Sequence, residues 1–502
     1  PVAIEPLMSQ QQQFRWWSGG YLVFVLLATV AAFRTRAGDV DQNTGERPTA
    51  GQSLTWIALA ACASTLWLAV ANHLSQEVAA IPFLWILPLS LYLLSFILCF
   101  ESSGWYRPTL FAWLLPAAWA AVCFRIAFQG SAGGLLWEIP VLAASLFVCC
   151  MFCHGELAES KPAPHEGLTY FYLMVALGGA LGAVFVGVVA PNVFSTYLEL
   201  PIGITGCVML ALMLLYGMAS PKRLLRLAVM AALAFVVATR FNAPGQNVTR
   251  TRNFYGAILI ADTGSGESAV RLLYNGKTLH GVQYLSPSRS RQPTAYFSVE
   301  SGAGRVLGPH GASGRRVGII GLGAGTLAAY GKPGDSFRFF EINPAVIEIA
   351  SRQFRFLRES EAKTDVVMVD GRLGIGREPP ESFDVIILDA FSDDSIPVHL
   401  LTREAFQVYS HHLRPGGVLA VHITNRYLDL YPVVEGLAVS LHKKIVAIHN
   451  SPDPGRQVYA ADWAVLWDDT IHDFQAYSNS AAAPRKARLW TDDYSNLFGV
   501  LR

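Results

Sequence analysis

Residues 316–341 read RVGIIGLGAGTLAAYGKPGDSFRFFE and decide the fold of the second half of this 502-residue chain. An apolar run ending at Ile320 is followed by three closely spaced glycines, a helix start near Thr326 and a second apolar run ending at Glu341. Glycines after a buried strand let the main chain approach a ligand closely. A carboxylate at the end of the next strand can accept hydrogen bonds from both ribose hydroxyls. The pattern predicts a nucleotide-type pocket, and the alternative is a tight turn in an ordinary α/β domain.

Strand and helix patterns alternate around this stretch. Two runs near 255–262 and 269–274, joined by tight turns to a third, predict a small antiparallel β unit. A helix is expected over about 294–306. The later expected strands are Val317–Ile320, Phe337–Glu341, Asp365–Val369, Phe383–Leu388 and Gly417–Thr424, with helices near 324–330, 344–355, 402–413 and 430–440. The alternation predicts a doubly wound, mainly parallel, Rossmann-like sheet of the methyltransferase type, whose polar strand ends converge in one crevice.

The first half of the chain has a different composition. Hydrophobic residues make up 52% of the sequence and charged residues only 15%, and the charge deficit is concentrated before residue 242. Apolar runs there approach the roughly 20 residues needed to cross a bilayer. The expected spans lie near 17–35, 53–72, 82–100, 109–127, 134–153, 168–191, 199–218 and 223–241. These runs predict a helical membrane domain of about eight spans in a lipid bilayer, with the first and last spans possible interfacial segments.

All seven cysteines lie in this apolar half. Cys150, Cys153 and His154 match the C-x-x-C-H pattern of haem attachment, but small polarizable cysteines are ordinary filler in apolar helices. We therefore expect packing rather than haem or a metal site.

The net charge bears on possible partners, and the change in composition along the chain indicates the domain boundaries. The formal net charge of +1 and the lack of a basic stripe argue against nucleic acid as a partner. We expect a membrane domain over 1–241, a linker over 242–252, the β unit over 253–290 and the Rossmann-like domain over 291–502. Because the chain begins at Pro1 rather than methionine, the span count leaves a further upstream segment open.

Five segments together resemble the spermidine synthase family of polyamine aminopropyltransferases. They are LLYNGKTLHGVQY (272–284), GLGAG (321–325), FFEINP (339–344), VDGR (369–372) and VIILDAFSDDSIPVHL (385–400). CHGELA (153–158) and the run at 80–100 are similar to the membrane-fused bacterial branch of that family, in which a multi-span region precedes the synthase-like domain.

The resemblance implies S-adenosylmethionine or its decarboxylated form as co-substrate, with a small amine as acceptor and no metal. The implied cofactor-binding residues are Gly321, Gly323, Gly325, Glu341, Asp370, Gly371 and Gln283. The implied catalytic acids are Asp389 and Asp393, with Asp394 as the alternative to Asp393. A carboxylate within hydrogen-bond reach can take a proton from the amine that attacks the sulfonium carbon.

Three functions stay open from the sequence. The first is a membrane-anchored transferase that alkylates an amine. The second is a catalytically degenerate scaffold or accessory subunit of a membrane protein complex. It is favoured by Ala324, which stands where the family resemblance implies an acid for the aminopropyl ammonium. The third is a transporter with a sensing domain, although Arg125 and Glu138 are the main ionisable residues inside the spans.

The resemblance also implies a multi-pass protein of the bacterial inner membrane. We expect the soluble domain on the cytoplasmic side, because the S-adenosyl ligand is cytosolic. The distribution of Lys and Arg among the loops mildly favours the opposite side.

Overall fold

The computed structural model describes most of the chain. The described residues are 8, 10–34, 48–75, 85–102, 104–127, 134–163, 167–215, 246–276, 278–308, 313–390, 397–425, 428–468, 474–477 and 487–500. The contacts divide the chain into two compact units, a helical half and an α/β half that comprises most residues from 258 onward.

Helices fill the described part of the first half. They are α1 (Gln10–Arg34), α2 (Ala50–His73), α3 (Ile86–Glu101), α4 (Pro108–Ala127), α5 (Gly134–Glu159), α6 (Leu168–Val184) and α7 (Glu199–Leu214). A π-helical segment, Phe185–Val189, continues α6 to Val193. Each of the first seven expected spans falls on one of these helices, and the eighth, 223–241, lies outside the described residues.

Three of the described helices are long and apolar enough to cross a membrane. They are Ala50–His73, Trp137–Glu159 and Leu168–Val193. Ile86–Glu101, Pro108–Val122 and Glu199–Leu214 are apolar but shorter. The helical half therefore has the composition of a membrane protein, while eight crossings remain a prediction.

Close contact between α2 and α6 depends on two glycines spaced four residues apart. A Cβ atom on Gly178 would lie 2.4 Å from the carbonyl oxygen of Ile57, and one on Gly182 would lie 2.5 Å from that of Ala61. Small residues at this spacing let helix backbones approach in lipid, where burial of apolar surface supplies little driving force. These two glycines therefore determine how closely α2 and α6 approach each other.

The β unit is a four-stranded sheet in the order β1-β2-β3-β4. Its strands are β1 (Gln246–Asn253), β2 (Gly256–Thr263), β3 (Val270–Asn275) and β4 (Thr278–Tyr284). Strands β2, β3 and β4 pair antiparallel, as the turn signals predict. Strand β1 occupies part of the segment expected to be a linker.

The larger sheet has seven strands in the order β10-β11-β9-β8-β5-β6-β7. They are β5 (Arg316–Ile320), β6 (Ser336–Glu341), β7 (Lys363–Met368), β8 (Phe383–Leu388), β9 (Leu413–His422), β10 (Lys444–Asn450) and β11 (Ala461–Trp467). The described helices are α8 (Gly302–Leu307), α9 (Pro344–Arg352), α10 (Phe356–Glu359), α11 (Gly371–Gly376), α12 (Arg403–His412) and α13 (Tyr431–Ser440).

Two buried clusters cover the opposite sides of this sheet. Phe337, Phe339 and Trp463 belong to one cluster, whereas Phe340 and Leu388 belong to the other. The alternation along β6 follows from the two-residue period of a strand. The doubly wound, mainly parallel fold is confirmed.

Besides strand β1, the structure differs from the sequence expectations in three further places. Strands β10 and β11 form an antiparallel edge that the sequence pattern did not reveal. The expected helix at 324–330 is a short 3₁₀ segment, Thr326–Tyr330, which follows Gly325 in the left-handed region. The helix expected over 294–306 is only Gly302–Leu307, since Ser301 caps its start by accepting a hydrogen bond from the backbone N–H of Gly304.

Candidate active site at the carboxyl edge of the sheet

The sheet order places a crevice beside β5. Its neighbours are β6, the next strand in the chain, and β8, so the direction of winding reverses there. Ligands of open α/β sheets bind outside the carboxyl ends of the strands at such a switch point.

The strand register decides which residues meet at this edge. Ile320 lies opposite Phe340 on β6 and opposite Leu388 on β8, and Leu388 lies opposite Val421 on β9. The next residues along β6, β5, β8 and β9 are Glu341, Gly321, Asp389 and His422. They form a row along the carboxyl edge of the sheet, which we call the edge row.

Gly321 is required by this close packing. A Cβ atom there would lie 2.2 Å from the carbonyl oxygen of Asp389, and the φ angle of 98° is one that side chains rarely adopt. Gly323 and Gly325 also have positive φ, at 53° and 80°. All three glycines thus adopt a backbone conformation that side chains rarely take, and their role in binding a ligand stays a prediction.

Glu341 points its carboxylate back at the glycine loop. The backbone N–H of Leu322 donates to Oε2 at 3.1 Å, and that of Asn343 donates to Oε1 at 2.8 Å. Burial raises the pKa of Glu341, the amides of Asn343 and Leu322 oppose the rise, and the charge of Asp389 adds to it. The structure thus brings Glu341 and the glycine loop together.

Asp389 forms a buried pair with His422. Nδ1 of His422 lies 2.7 Å from Oδ1 of Asp389, and the two side chains are only 6% and 11% exposed. Burial raises the pKa of Asp389, while the hydrogen bond and charge of His422 counteract the rise. Nε2 of His422 lies 2.7 Å from Oγ1 of Thr424, so both ring nitrogens have partners.

Two aromatic rings enclose the imidazole. The ring of Tyr296 stacks on His422 at 4.6 Å between centroids, and the ring of Trp463 stacks on it at 4.7 Å. Burial and then the charge of Asp389 raise the pKa of Tyr296 well above its ordinary value. The enclosure fixes the orientation of His422 and hence of the carboxylate that it contacts.

The β unit touches the glycine loop at Ala324. A Cβ atom on Gly281 of β4 would lie 2.4 Å from the Cβ of Ala324, and Ala324 is buried. The position where the family resemblance implies an acid is therefore occupied by a methyl group packed against β4.

Asp370 and Gly371 lie at the start of α11. Oδ1 of Asp370 accepts from the backbone N–H of Leu373 at 3.0 Å, and Oδ2 lies 3.0 Å from Nε2 of His399. The hydrogen bond to His399 is the main cause of the lowered pKa of Asp370. A Cβ atom on Gly371 would lie 2.2 Å from Ile320, so α11 packs directly on the end of β5.

A polar cleft of about 440 Å³ lies beside Asp370 and is bounded by the C-terminal segment. Asp492 accepts two hydrogen bonds from Arg372, both at 2.7 Å, and one from the Thr402 hydroxyl at 2.7 Å. His399 and Tyr494 also line the cleft. The segment 490–494 therefore docks on α11 and α12.

Two implied site residues do not join the edge row. Gln283 is buried, its amide donates to the carbonyl of Ser290, and its Oε1 accepts from the backbone N–H of Arg355, both at 2.9 Å. These bonds tie β4 to neighbouring loops and leave the ligand role of Gln283 a prediction. Asp393 and its alternative Asp394 lie outside the described residues.

Comparison with known proteins gives relatives of one kind. No family model matches the chain. It is 32% identical over 152 residues to a polyamine aminopropyltransferase of Vibrio vulnificus, covering 29% of this chain and 49% of that protein. It is also 32% identical over 108 residues to a probable polyamine aminopropyl transferase of Bifidobacterium longum, covering 21% of this chain and 23% of that protein. The chain is spermidine synthase-like.

Solved structures of similar proteins include two spermidine synthases. A probable spermidine synthase from Corynebacterium glutamicum matches 45% of this chain and 81% of its own, with a TM-score of 0.37 and 18% identity. The spermidine synthase of Thermotoga maritima matches 48% and 88%, with a TM-score of 0.30 and 16% identity. This spermidine synthase-like chain spans about half the length of the first curated relative and about a quarter of the second.

Sequence reasoning missed the partners of Asp389 in this spermidine synthase-like chain. His422 is the last residue of β9 and pairs across the sheet with Trp463. The rule that polar residues mark strand ends could have singled out His422, because it follows the apolar run 418–421. Trp463 had no local signal, since its stacking on His422 depends on pairings distant in sequence.

Proposed function

We propose that this chain is a membrane-anchored transferase that binds an S-adenosyl compound and alkylates an amine acceptor. The observation that carries the proposal is the position of Glu341, which ends β6 with its carboxylate against the backbone of the glycine loop. In this geometry Glu341 can exchange its backbone contacts for ribose hydroxyls, while Gly321, Gly323 and Gly325 admit the nucleoside. Asp370 and Gly371 would border the base.

The transfer requires a neutral amine. Its nitrogen lone pair attacks a carbon bonded to the sulfonium sulfur, the C–S bond breaks, and its electron pair leaves on sulfur as a thioether. The proton released from the amine goes to a carboxylate within hydrogen-bond reach. Asp389 is the candidate, because burial raises its pKa and so increases its affinity for a proton. His422 would act through Asp389 by orienting it.

The methyl group of Ala324 bears on which S-adenosyl compound is used. A decarboxylated ligand carries an ammonium in addition to the sulfonium, and Ala324 offers it no charge partner. Enclosing an unpaired ammonium costs several kcal/mol. S-adenosylmethionine also carries a carboxylate that offsets its ammonium. We therefore propose S-adenosylmethionine ahead of the decarboxylated compound.

The three long apolar helices support anchoring in a lipid bilayer. We further propose a bacterial inner membrane with the α/β half in the cytoplasm, where an S-adenosyl ligand is available. A second candidate function is a scaffold for other membrane protein subunits, and the buried contact between Ala324 and Gly281 specifically favours it.

Calorimetric titration of the full chain in detergent tests the proposal. S-adenosylmethionine, its decarboxylated form and methylthioadenosine are titrated separately. We expect binding of at least one, and we expect Glu341→Gln to weaken it by about 10–100-fold, since hydrogen bonds to a charged group contribute about 1.5–3 kcal/mol.

Glu348→Gln is the matched control. Glu348 lies on α9 and makes only an exposed pair with Arg352, so its replacement should leave affinity unchanged. If the folded protein gives no binding heat with any of the three compounds, the scaffold becomes the favoured function. If binding is found, Asp389→Asn should abolish turnover and leave affinity nearly intact, whereas a loss of affinity alone would assign Asp389 to ligand binding.

A further inference from the structure

Three cysteine thiols from three separate helices meet inside the helical half. Cys62 lies on α2, Cys153 on α5 and Cys207 on α7, and their Sγ atoms all lie within 4.8 Å of one another. Their exposed fractions are 9%, 0% and 0%. Cys149 precedes Cys153 by four residues and therefore shares its helix face.

Cys99 lies outside the cluster, although Sγ of Cys62 makes a similar contact, 3.6 Å from the carbonyl oxygen of Gly203. Cys149 is not one of the three mutually close thiols, but it contacts Cys207. Sγ of Cys99 lies 3.6 Å from the carbonyl oxygen of Met151 and 3.8 Å from its sulfur, as expected of a residue that fills a helix contact. The neighbour of Cys153 in the C-x-x-C-H pattern is also separate from the cluster. Nδ1 of His154 lies 2.9 Å from the hydroxyl of Ser95 on α3.

The spacing of the three sulfurs suits one metal ion. A thiolate binds zinc at about 2.3 Å, and three sulfurs around one ion at that distance lie roughly 4 Å apart. Sulfurs already within 4.8 Å of one another need to move by less than about 1 Å to reach this arrangement. Rotation of side chains on packed helices can supply such a movement.

The chemistry of the donors selects the ion. Sulfur ligands prefer soft ions such as Cu(I) and Zn²⁺ over Mg²⁺ or Ca²⁺. Structural zinc sites almost always have four ligands, whereas three sulfurs are mutually close here.

We propose that Cys62, Cys153 and Cys207 form a binding site for a single Cu(I) ion. Binding replaces thiol protons with the metal and releases them to solvent, and no electron is transferred. The bound ion links α2, α5 and α7. The proposal is independent of the proposed transferase activity.

The test uses the full chain in detergent, prepared anaerobically with its thiols reduced. Cu(I) is titrated in competition with a chromophoric Cu(I) chelator. We expect one tightly bound ion per chain, and we expect Cys153→Ser to weaken binding by at least about 100-fold. Cys62→Ser and Cys207→Ser should have similar effects.

Cys150→Ser is the matched control, because Cys150 is equally buried on the same helix but is not one of the three clustered thiols. It should retain the affinity of the unaltered chain. Equal Cu(I) binding by the triple serine variant overturns the proposal, as does the absence of tight binding by the unaltered chain.

Two further measurements use the unaltered chain, so they test the proposal even if a serine variant folds poorly. X-ray absorption at the copper edge of the loaded, unaltered chain should show sulfur ligands only, and a shell of nitrogen or oxygen would contradict the site. A parallel titration with Zn²⁺ should give weaker binding. Tight Zn²⁺ binding combined with weak Cu(I) binding would overturn the choice of ion.

Discussion

In the helical half, some large apolar side chains face outward, since Trp113 is 82% exposed and Leu173 is 59% exposed, whereas others such as Phe152 and Phe171 are fully buried. The closest approach of α2 and α6 is made by the small residues Gly178 and Gly182. In the α/β half, Phe337 and Trp463 are fully buried. Large apolar side chains thus remain exposed on the half whose helices include three long and apolar enough to cross a membrane, whereas apolar burial organises the α/β half.

The largest expected effect concerns a buried charge pair in the α/β half. Nη2 of Arg315 lies 2.7 Å from Oδ2 of Asp335, whose side chain has no exposed surface. Asp335→Ala leaves the Arg315 charge buried without its partner, which costs about 3–5 kcal/mol. By calorimetry of the full chain, the α/β transition should fall by about 10 °C, at roughly 2–4 °C per kcal/mol.

The control for this variant is Asp365→Ala. Asp365 pairs with Arg338 at 3.5 Å on the surface, where a pair contributes only about 0–1 kcal/mol. A thiol-reactive fluorogenic dye reports the helical half separately, because all seven cysteines precede residue 208. If Asp335→Ala lowers the temperature of the dye-reported transition as much as that of the calorimetric α/β transition, the two halves do not unfold independently.

The second expected effect lies in the helical half. Gly182→Leu places a side chain against the backbone of α2, and forced overpacking costs about 1–3 kcal/mol. The dye transition should therefore move to lower temperature. Gly179→Leu is the matched control, since a Cβ atom there meets nothing within 4 Å. Equal effects of the two substitutions would show that close approach of α2 and α6 is not what stabilises this half.

The two halves also differ in how far the sequence predicts them. The parallel strands and the edge residues Glu341 and Asp389 follow from apolar runs with polar ends. The antiparallel strands β10 and β11 do not, because their pairing depends on the sheet that they join. His422 lies beside Asp389 only because Val421 pairs with Leu388 across the sheet, and this register cannot be read from the local sequence. The thiol cluster likewise requires three helices distant in sequence.

Local patterns also failed where glycine and capping residues compete with helix periodicity. The segment after Gly325 satisfied the helix pattern, yet it forms only a short 3₁₀ turn. Gln283 also makes hydrogen bonds to two backbone groups that the motif did not indicate, while its ligand role stays a prediction. The contact of Gly178 with Ile57 could have been expected from the spacing of Gly178 and Gly182 in an apolar run.

The third effect tests the buried polar pair of the α/β half. His422→Gln removes the imidazole that holds down the pKa of Asp389, so this pKa should rise further. Turnover needs the ionised carboxylate, so the acidic limb of the pH–rate profile should move to higher pH. Losing a hydrogen bond to a charged group costs about 1.5–3 kcal/mol, or roughly 10–100-fold in rate.

His411→Gln is the control, because His411 is exposed on α12 and lies away from the edge row. It should leave the pH–rate profile unchanged. A reduced rate in His422→Gln with no shift of the acidic limb would mean that His422 only supports the fold around Trp463.

The smallest expected effect is the acid sensitivity of the docked C-terminal segment. The hydrogen bond from Arg372 is the main cause of the lowered pKa of Asp492. A carboxyl group whose pKa is lower in the folded state stabilises above its unfolded pKa and loses this contribution as pH falls through the folded value. Asp492 is 44% exposed, so the contribution is at most about 1 kcal/mol. Asp492→Asn should lower the α/β transition slightly at pH 7, and the difference from the unaltered chain should shrink as the pH falls below the ordinary aspartate pKa. The dye transition of the helical half should be the same in both proteins at each pH. A difference that persists undiminished at pH 3 would mean that packing of the segment, rather than the charge of Asp492, holds it against α11 and α12.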